Sequence, residues 1–183
     1  ALENRPTPLG KTVDGEELHF QLRGARIVVV PIDDLVARFK ADAERKAYRL
    51  RDQPEFSETV GPVGGFRLRY ILERHDTSPE DALRSGRGGS WVRLQRWELL
   101  PSSSEMGETL DEALAPGSQF RGVLAGLRPQ RVTVTLWTYP DSFLLFQRIK
   151  EELYRLGFAV AGRPLPEGIL IGGSPQGSKS AAE

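Results

Sequence analysis

The sequence predicts an α+β fold with a mixed sheet, two main amphipathic helices and a C-terminal β-α-β unit. Two kinds of pattern lead to this prediction. Several short segments alternate apolar and polar residues, which is typical of half-buried strands, and two longer segments repeat apolar residues every three or four positions, which is typical of helices. The segments follow one another as two strands, a helix and three strands, and then as a strand, a helix and a strand.

The first two strands are predicted to form a hairpin. Leu18, Phe20 and Leu22 alternate with polar residues, and a continuous apolar run over 26–30 follows. Gly24 is the first of the two residues between them, and glycine at that position is typical of a type II′ turn.

A long helix is predicted over Ile32–Arg51, directly after the hairpin. Pro31 stands at its start, and Pro54 lies just beyond its end, where proline disfavours helical backbone at the residue before it. One apolar stripe runs along this helix and is expected to face the core. Its members are Ile32, Leu35, Val36, Phe39, Ala43, Ala47 and Leu50.

Three further strands are predicted over 56–60, 66–74 and 91–100. The second alternates clearly between apolar and polar residues, whereas the third does not divide cleanly into two faces. We expect these last two strands to be antiparallel neighbours. Ser78 is expected to begin a short helix between them.

The C-terminal unit consists of a strand over 132–137, a helix over Asp141–Leu156 and a strand over 158–161. Two strands joined through a helix favour parallel neighbours with a right-handed crossover. Gly157 stands where a helix commonly ends on a residue with left-handed backbone.

The expected domain organisation is one domain over residues 1–171, followed by a flexible tail over 172–183 that is rich in Gly, Ser, Pro and Ala. A division into lobes over 16–100 and 117–171 is the alternative. Because the sequence starts with Ala1, we expect a fragment or processed product, with any anchor or targeting segment upstream of it.

Composition excludes several classes of chemistry. The chain has 183 residues, and its 25 basic and 25 acidic side chains give a formal net charge of zero, which argues against a dedicated nucleic-acid-binding protein. Cysteine is absent, which excludes disulfides, thiolate nucleophiles and cysteine-ligated metal. The two histidines, His19 and His75, are far apart in sequence, and each is expected to be a surface residue.

No motif predicts a catalytic residue, a metal site or a cofactor. The segment Gly172–Ser180 resembles a phosphate-binding loop only loosely, because Ser178 separates Gly177 from Lys179. Pro140-Asp141 resembles the start of a nuclease motif but lacks the second acidic ligand. We therefore interpret Asp141 as an N-cap residue of the helix that follows it.

Four arginines are predicted to share one face of the sheet and form a candidate anion-binding surface: Arg67, Arg69, Arg93 and Arg96. Arg74 is expected to lie beside them. The alternative is a solvated face in which these side chains form ion pairs with Glu73 and Glu98.

The chain resembles a family of uncharacterised planctomycete membrane-anchored proteins, in which it corresponds to the C-terminal domain. The resemblance covers essentially the whole sequence and is carried by the segments 7–11, 60–70, 137–143, 163–168 and 173–175. Members of that family look like single-pass membrane proteins whose anchors are similar to those of small subunits in ion-driven stator and energy-transducing complexes. The resemblance implies a domain held outside the inner membrane, without an assigned activity.

A weaker resemblance concerns residues 131–161, which are similar to the core of the peptidoglycan-binding domain at the end of stator proteins. That resemblance implies that Asp141 binds the ammonium group of the ligand and that Arg148 or Arg155 binds its carboxylate. The His-Thr pair before the aspartate of that family is replaced here by Tyr139-Pro140.

These observations predict a non-enzymatic extracytoplasmic scaffold or partner-binding domain in the periplasm or cell envelope. The expected partner is a protein or an envelope component, and no nucleic-acid partner is expected. Contact with the membrane is expected only through an N-terminal anchor. A homo-oligomer is a further possibility. The alternatives are a peptidoglycan-binding module, a hydrolase or nuclease of unknown type, and a cytoplasmic location.

Overall fold

Two four-stranded sheets organise the protein in the computed structural model, which describes residues 15–174. The strands are β1 (Glu16–Arg23), β2 (Arg26–Val30), β3 (Glu55–Val63), β4 (Phe66–Asp76), β5 (Ser90–Pro101), β6 (Val132–Thr138), β7 (Ala159–Pro164) and β8 (Gly172–Gly173). The helices are α1 (Ile32–Lys46), α2 (Pro79–Ser85), α3 (Leu110–Leu114), α4 (Gln119–Ala125) and α5 (Phe143–Arg155), with 3₁₀ turns at Ala47–Arg51, Pro129–Arg131 and Pro140–Ser142. The predicted α+β class is confirmed.

Sheet A has the strand order β2-β1-β6-β7 and is mixed. Its first pair is the antiparallel hairpin of β1 and β2, while β1 pairs with β6 in parallel and β6 pairs with β7 in parallel. The parallel β6–β7 pair confirms the predicted C-terminal β-α-β unit. Sheet B has the order β3-β4-β5-β8, and all of its pairs are antiparallel.

The two sheets do not coincide with the alternative lobes over 16–100 and 117–171, because sheet A combines strands from both segments. The segment expected to be a flexible tail begins with β8, in which Gly172 pairs with Glu98 and Gly173 pairs with Trp97. Residues 175–183, including most of the loosely phosphate-loop-like segment, lie outside the described part of the chain.

The β1–β2 turn differs from the prediction. Gly24 and Ala25 have φ angles of +59° and +55°, and positive φ at both central residues defines a type I′ turn, so the predicted type II′ turn is wrong. Alanine disfavours this left-handed backbone because its Cβ approaches the carbonyl oxygen. A stabilising contact from elsewhere in the chain is therefore expected at this turn.

Helix α1 and its 3₁₀ extension cover the predicted 32–51 segment. Leu35 and Leu50 are buried, as the apolar stripe requires, whereas Phe39 is only partly buried and packs against Tyr70 with ring centroids 4.7 Å apart. Helix α5 ends as predicted. Gly157 has a φ of +87°, and the Phe158 amide donates to the Leu153 carbonyl oxygen at 3.0 Å, which is the bond of a Schellman motif.

Sheet A has a hydrophobic core on each face. The core on the first face packs sheet A against α3, α4 and α5 through residues that include Phe20, Leu22, Phe120, Leu136 and Ile149. The core on the second face lies between sheet A, α1 and sheet B, and it includes Val28, Leu35, Phe66, Tyr70 and Trp137. The layers are thus α3–α5, sheet A, α1 and sheet B, and the far side of sheet B faces solvent.

A β-bulge in β5 explains why this segment did not divide cleanly into two faces in the sequence. Pairing with β4 shifts register between Ile71 and Leu72, which lie opposite Arg96 and Leu94, so Gln95 is the extra residue. The shift reverses the alternation of side chains along β5. Trp97 therefore lies on the core side, opposite Tyr70, while Trp91 lies on the solvent side, opposite His75.

An ionic network around the buried carboxylate of Asp42 joins α1 to the core side of sheet B. The Tyr70 hydroxyl donates to Oδ2 of Asp42 at 2.8 Å, and the Lys46 ammonium lies 3.1 Å from Asp42 and 3.2 Å from Glu58. Arg49 also forms an ion pair with Glu58. Burial by itself would raise the pKa of Asp42, but the hydrogen bonds from Tyr70 and Lys46 hold that pKa below its usual value.

Replacing Tyr70 by phenylalanine should lower the free energy of unfolding by about 1–3 kcal/mol, because a buried carboxylate loses a hydrogen-bond donor. Urea denaturation at neutral pH measures the loss. Tyr48→Phe is the matched control, since Tyr48 is 61% exposed, and it should change stability by less than about 0.5 kcal/mol. Equal losses in the two variants would contradict a specific role for the Tyr70–Asp42 bond.

Candidate functional site

Asp141 stabilises the β1–β2 turn and does not cap α5. Its Oδ2 accepts a hydrogen bond from the Gly24 amide at 2.9 Å, and its Oδ1 accepts one from the Ser142 hydroxyl at 2.8 Å. Ser142 Oγ accepts a bond from the Ala25 amide at 3.0 Å. Ser142 is also the N-cap residue of α5, with no side-chain capping bond, so the predicted N-cap role of Asp141 is wrong. Instead, Asp141 and Ser142 hold the strained type I′ turn.

The two arginines matched to the peptidoglycan-binding motif are not brought together with Asp141. Arg155 binds Glu152 through two nitrogens, Nε at 2.9 Å and Nη2 at 2.5 Å, and Arg121 of α4 contacts the same carboxylate at 2.9 Å. These contacts, those of Arg155 first, lower the pKa of Glu152 to about 2. Arg148 is exposed, and among the described residues no hydrogen bond or ion pair joins it to Asp141, whose oxygens bind Gly24 and Ser142.

Asp141→Ala should lower the free energy of unfolding by about 1 kcal/mol, because the Gly24 amide loses its acceptor at a turn that alanine disfavours. Asp141→Asn keeps an acceptor oxygen and should lose less. Urea denaturation of both variants measures the difference.

We also expect no sedimentation of the wild-type protein with purified peptidoglycan. Sedimentation that Asp141→Ala abolishes, with unfolding unchanged, would contradict the structural role.

The solvent side of β4 and β5 carries the four candidate arginines. We call this surface the outer face; its side chains are Arg67, Arg69, Ile71, Glu73 and His75 of β4, and Trp91, Arg93, Gln95, Arg96 and Glu98 of β5. The expected fifth arginine, Arg74, is not part of it. Arg74 points to the other side of β4, where Nη1 donates to the Leu50 and Arg51 carbonyl oxygens at 2.8 and 3.1 Å.

Ion pairs cross the outer face between the two strands. Arg69 pairs with Glu98 at 2.5 Å, and Arg93 pairs with Glu73 at 2.6 Å. These pairs match the solvated-face alternative. His75 Nε2 also lies 2.8 Å from the Glu73 carboxylate, and the hydrogen bonds from His75 and Arg93 hold the pKa of Glu73 below its usual value.

An aromatic pair lies at one end of the outer face. The rings of His75 and Trp91 are stacked, with centroids 5.5 Å apart and an interplanar angle of 21°. Trp91 remains 53% exposed, so a large apolar side chain faces solvent beside an ion pair. Trp and Arg are the residues most often found at the centres of protein interfaces.

His19 is not the surface residue that the sequence predicts, because its side chain is only 12% exposed. The Trp137 indole N–H donates to Nδ1 of His19 at 3.3 Å, which places the imidazole proton on Nε2, 3.6 Å from Glu17. Thr135 Oγ1 donates to the same Glu17 carboxylate at 2.9 Å. Burial lowers the pKa of His19 below its usual value of 6.5.

Stability should fall as the pH decreases below about 6.5. In that range the unfolded chain binds a proton at His19, whereas the folded protein binds it only at lower pH, so acidification favours unfolding. The urea midpoint of the wild-type protein should therefore drop between about pH 7.5 and 5.5, above the range in which carboxylates titrate. His19→Gln should remove this part of the drop. An equal drop in both proteins would contradict the role of His19.

One cavity of about 180 Å³ lies at the N-terminal ends of β1, β6 and β7. Its lining includes Gly15, Gln130, Thr133 and Ala159. This volume is below the roughly 300–1,000 Å³ that is typical of a small-molecule site. Within residues 15–174, no group of three or more His, Asp or Glu side chains has a metal-binding arrangement.

Comparison with known proteins identifies no relative of this chain. No protein-family model, curated protein or solved structure matches the chain. Over the described residues, none of the helices combines the length and the apolar character that a membrane span requires.

Proposed function

We propose that this protein is a non-enzymatic scaffold or partner-binding domain, and that it binds a protein partner or envelope component through the outer face of sheet B. The observation that supports this proposal best is the exposure of Trp91 at one end of a polar, ion-paired sheet surface. Aromatic side chains and arginines are enriched at protein interfaces.

The shape of the outer face favours a macromolecule over a small ligand. β4 has 11 residues and therefore extends over about 36 Å, and two neighbouring strands are about 10 Å wide. This area of roughly 350 Å² suits a weak or transient interface, since a standard interface buries about 800 Å² on each partner.

Location outside the inner membrane is the second part of the proposal. It rests on the resemblance to membrane-anchored planctomycete proteins, in which the corresponding domain follows a single-pass anchor. An anchored domain with one flat, exposed sheet face would present that face to a partner in the envelope. A peptidoglycan-binding role has less support, because Asp141 and Arg155 are both engaged in bonds within the chain.

Site-specific photo-crosslinking in the native cells tests the proposal. A photoreactive residue in place of Trp91 should give a discrete crosslinked species in the envelope fraction, because this position is exposed and lies within the expected interface. The matched control is the same replacement at Tyr48, an exposed aromatic residue beside α1 and away from the outer face. Identical products at both positions, or products confined to the cytoplasmic fraction, would contradict the proposal.

A further inference from the structure

One end of the outer face carries more positive than negative charge. We call it the arginine end; it consists of Arg67, Arg69 and Arg96 around Glu98. Arg69 lies directly opposite Glu98 and forms its 2.5 Å ion pair, whereas Arg96 Nη1 lies 3.7 Å from the other oxygen of the same carboxylate. Two guanidinium groups thus share one carboxylate, and Arg67 adds a third positive charge at the same end.

Arg67 is the most available of the three. Its side chain is exposed and forms no ion pair or hydrogen bond with any other residue of the described chain. It lies opposite Leu100 and two positions from Arg69 on the same face of β4, which places the Cα atoms of the two arginines about 7 Å apart. Arg96 is 54% exposed, and its distance of 3.7 Å from Glu98 is beyond hydrogen-bonding range.

The opposite end of the outer face has a different charge balance. Glu73 binds Arg93 and His75 there, and Glu55 of β3 lies directly opposite Glu73. Negative charge is therefore matched or in slight excess at that end. A partner with carboxylates would be oriented by this asymmetry, because opposite charges attract it to the arginine end and like charges repel it from the other.

We infer that the arginine end binds a carboxylate-rich segment of a protein partner. This inference rests on the proposed function and adds the chemistry of the partner. Glu98 shows how a carboxylate is bound there, since Arg69 already contacts it directly. Carboxylates of a partner would bind Arg67 and Arg96, whose planar donor groups match carboxylate geometry in two-bond pairs.

A protein segment fits this surface better than a nucleic acid does. A nucleic acid requires basic side chains along its whole path, because each neutralised phosphate contributes to affinity. The outer face carries Glu73 and Glu98 between its four arginines, and its exposed aromatic residue is at the opposite end from the charge excess. Exposed aromatic side chains and arginines together are typical of protein interfaces.

Binding of a fluorescein-labelled poly-glutamate peptide to the full chain tests the inference by fluorescence anisotropy at low salt. Saturable binding is expected, and the double substitution Arg67→Glu and Arg96→Glu should weaken it by about tenfold or more, since it reverses two charges. Raising the salt concentration should also weaken it.

Arg38→Glu on α1, an exposed arginine away from sheet B, should leave the affinity unchanged. Unchanged melting temperatures confirm that the variants fold.

Three results would overturn the inference. The first is the absence of saturable binding up to about 1 mM peptide. The second is an equal loss of affinity in Arg38→Glu, which would indicate attraction by overall charge. The third is binding of dextran sulfate, but not of poly-glutamate, with the same dependence on Arg67 and Arg96, which would identify a polysaccharide site.

The crosslinking experiment separates this inference from the proposed function. If the product from position 91 forms with the same yield when Arg67 and Arg96 are replaced by glutamate, partner binding through the outer face stands and the role of the arginine end fails. Loss of that product in the double variant, with the melting temperature unchanged, supports both.

Discussion

The parallel pairing of β1 with β6 is the interaction on which the rest of the structure depends. It runs from Glu16 opposite Val132 to Leu22 opposite Thr138, and it joins segments separated by more than a hundred residues. Bringing such distant segments together costs loop-closure entropy, which the cores on both faces of sheet A must offset. Without this pairing, the β1–β2 hairpin would be separated from β6 and β7, and both cores would lose part of the sheet that they pack against.

The same pairing places side chains together that no local pattern connects. It positions the residues after β6 beside the β1–β2 turn, so that Asp141 and Ser142 bind the amides of Gly24 and Ala25. It also sets Trp137 close enough to His19 to donate its indole hydrogen. A turn with alanine in left-handed backbone is tolerated because two side chains from a distant element fix it.

Local features of the fold could be predicted from the sequence, whereas long-range contacts could not. The stripe of α1, the Schellman end at Gly157 and the parallel strands around α5 follow from spacing and residue type alone. The roles of His19 and Asp141 were missed because each depends on the β1–β6 register. The reversal of faces in β5 was missed because one extra residue, Gln95, is not visible in an alternating pattern. Arg67, Arg69, Arg93 and Arg96 lie on one face, as their positions in the sequence predict. Arg74 lies on the other face, because its side chain binds carbonyl groups at the end of the 3₁₀ turn.

Side chains of β4 alternate between the core and solvent. The core-facing side chains stabilise the fold, and the solvent-facing ones are available for binding. Leu68, Tyr70 and Leu72 face the core, and Tyr70 also binds the buried carboxylate of Asp42. On the opposite side, Arg69 and Glu73 form ion pairs with β5, and Glu73 also binds His75 of β4. Ion pairs at an exposed surface contribute little to stability, about 0–1 kcal/mol each, so the outer face can change its charges at small cost to folding. The core requires neither Trp91 nor Arg67, whose side chains are exposed at opposite ends of the outer face, so both remain available for the partner contacts that we propose.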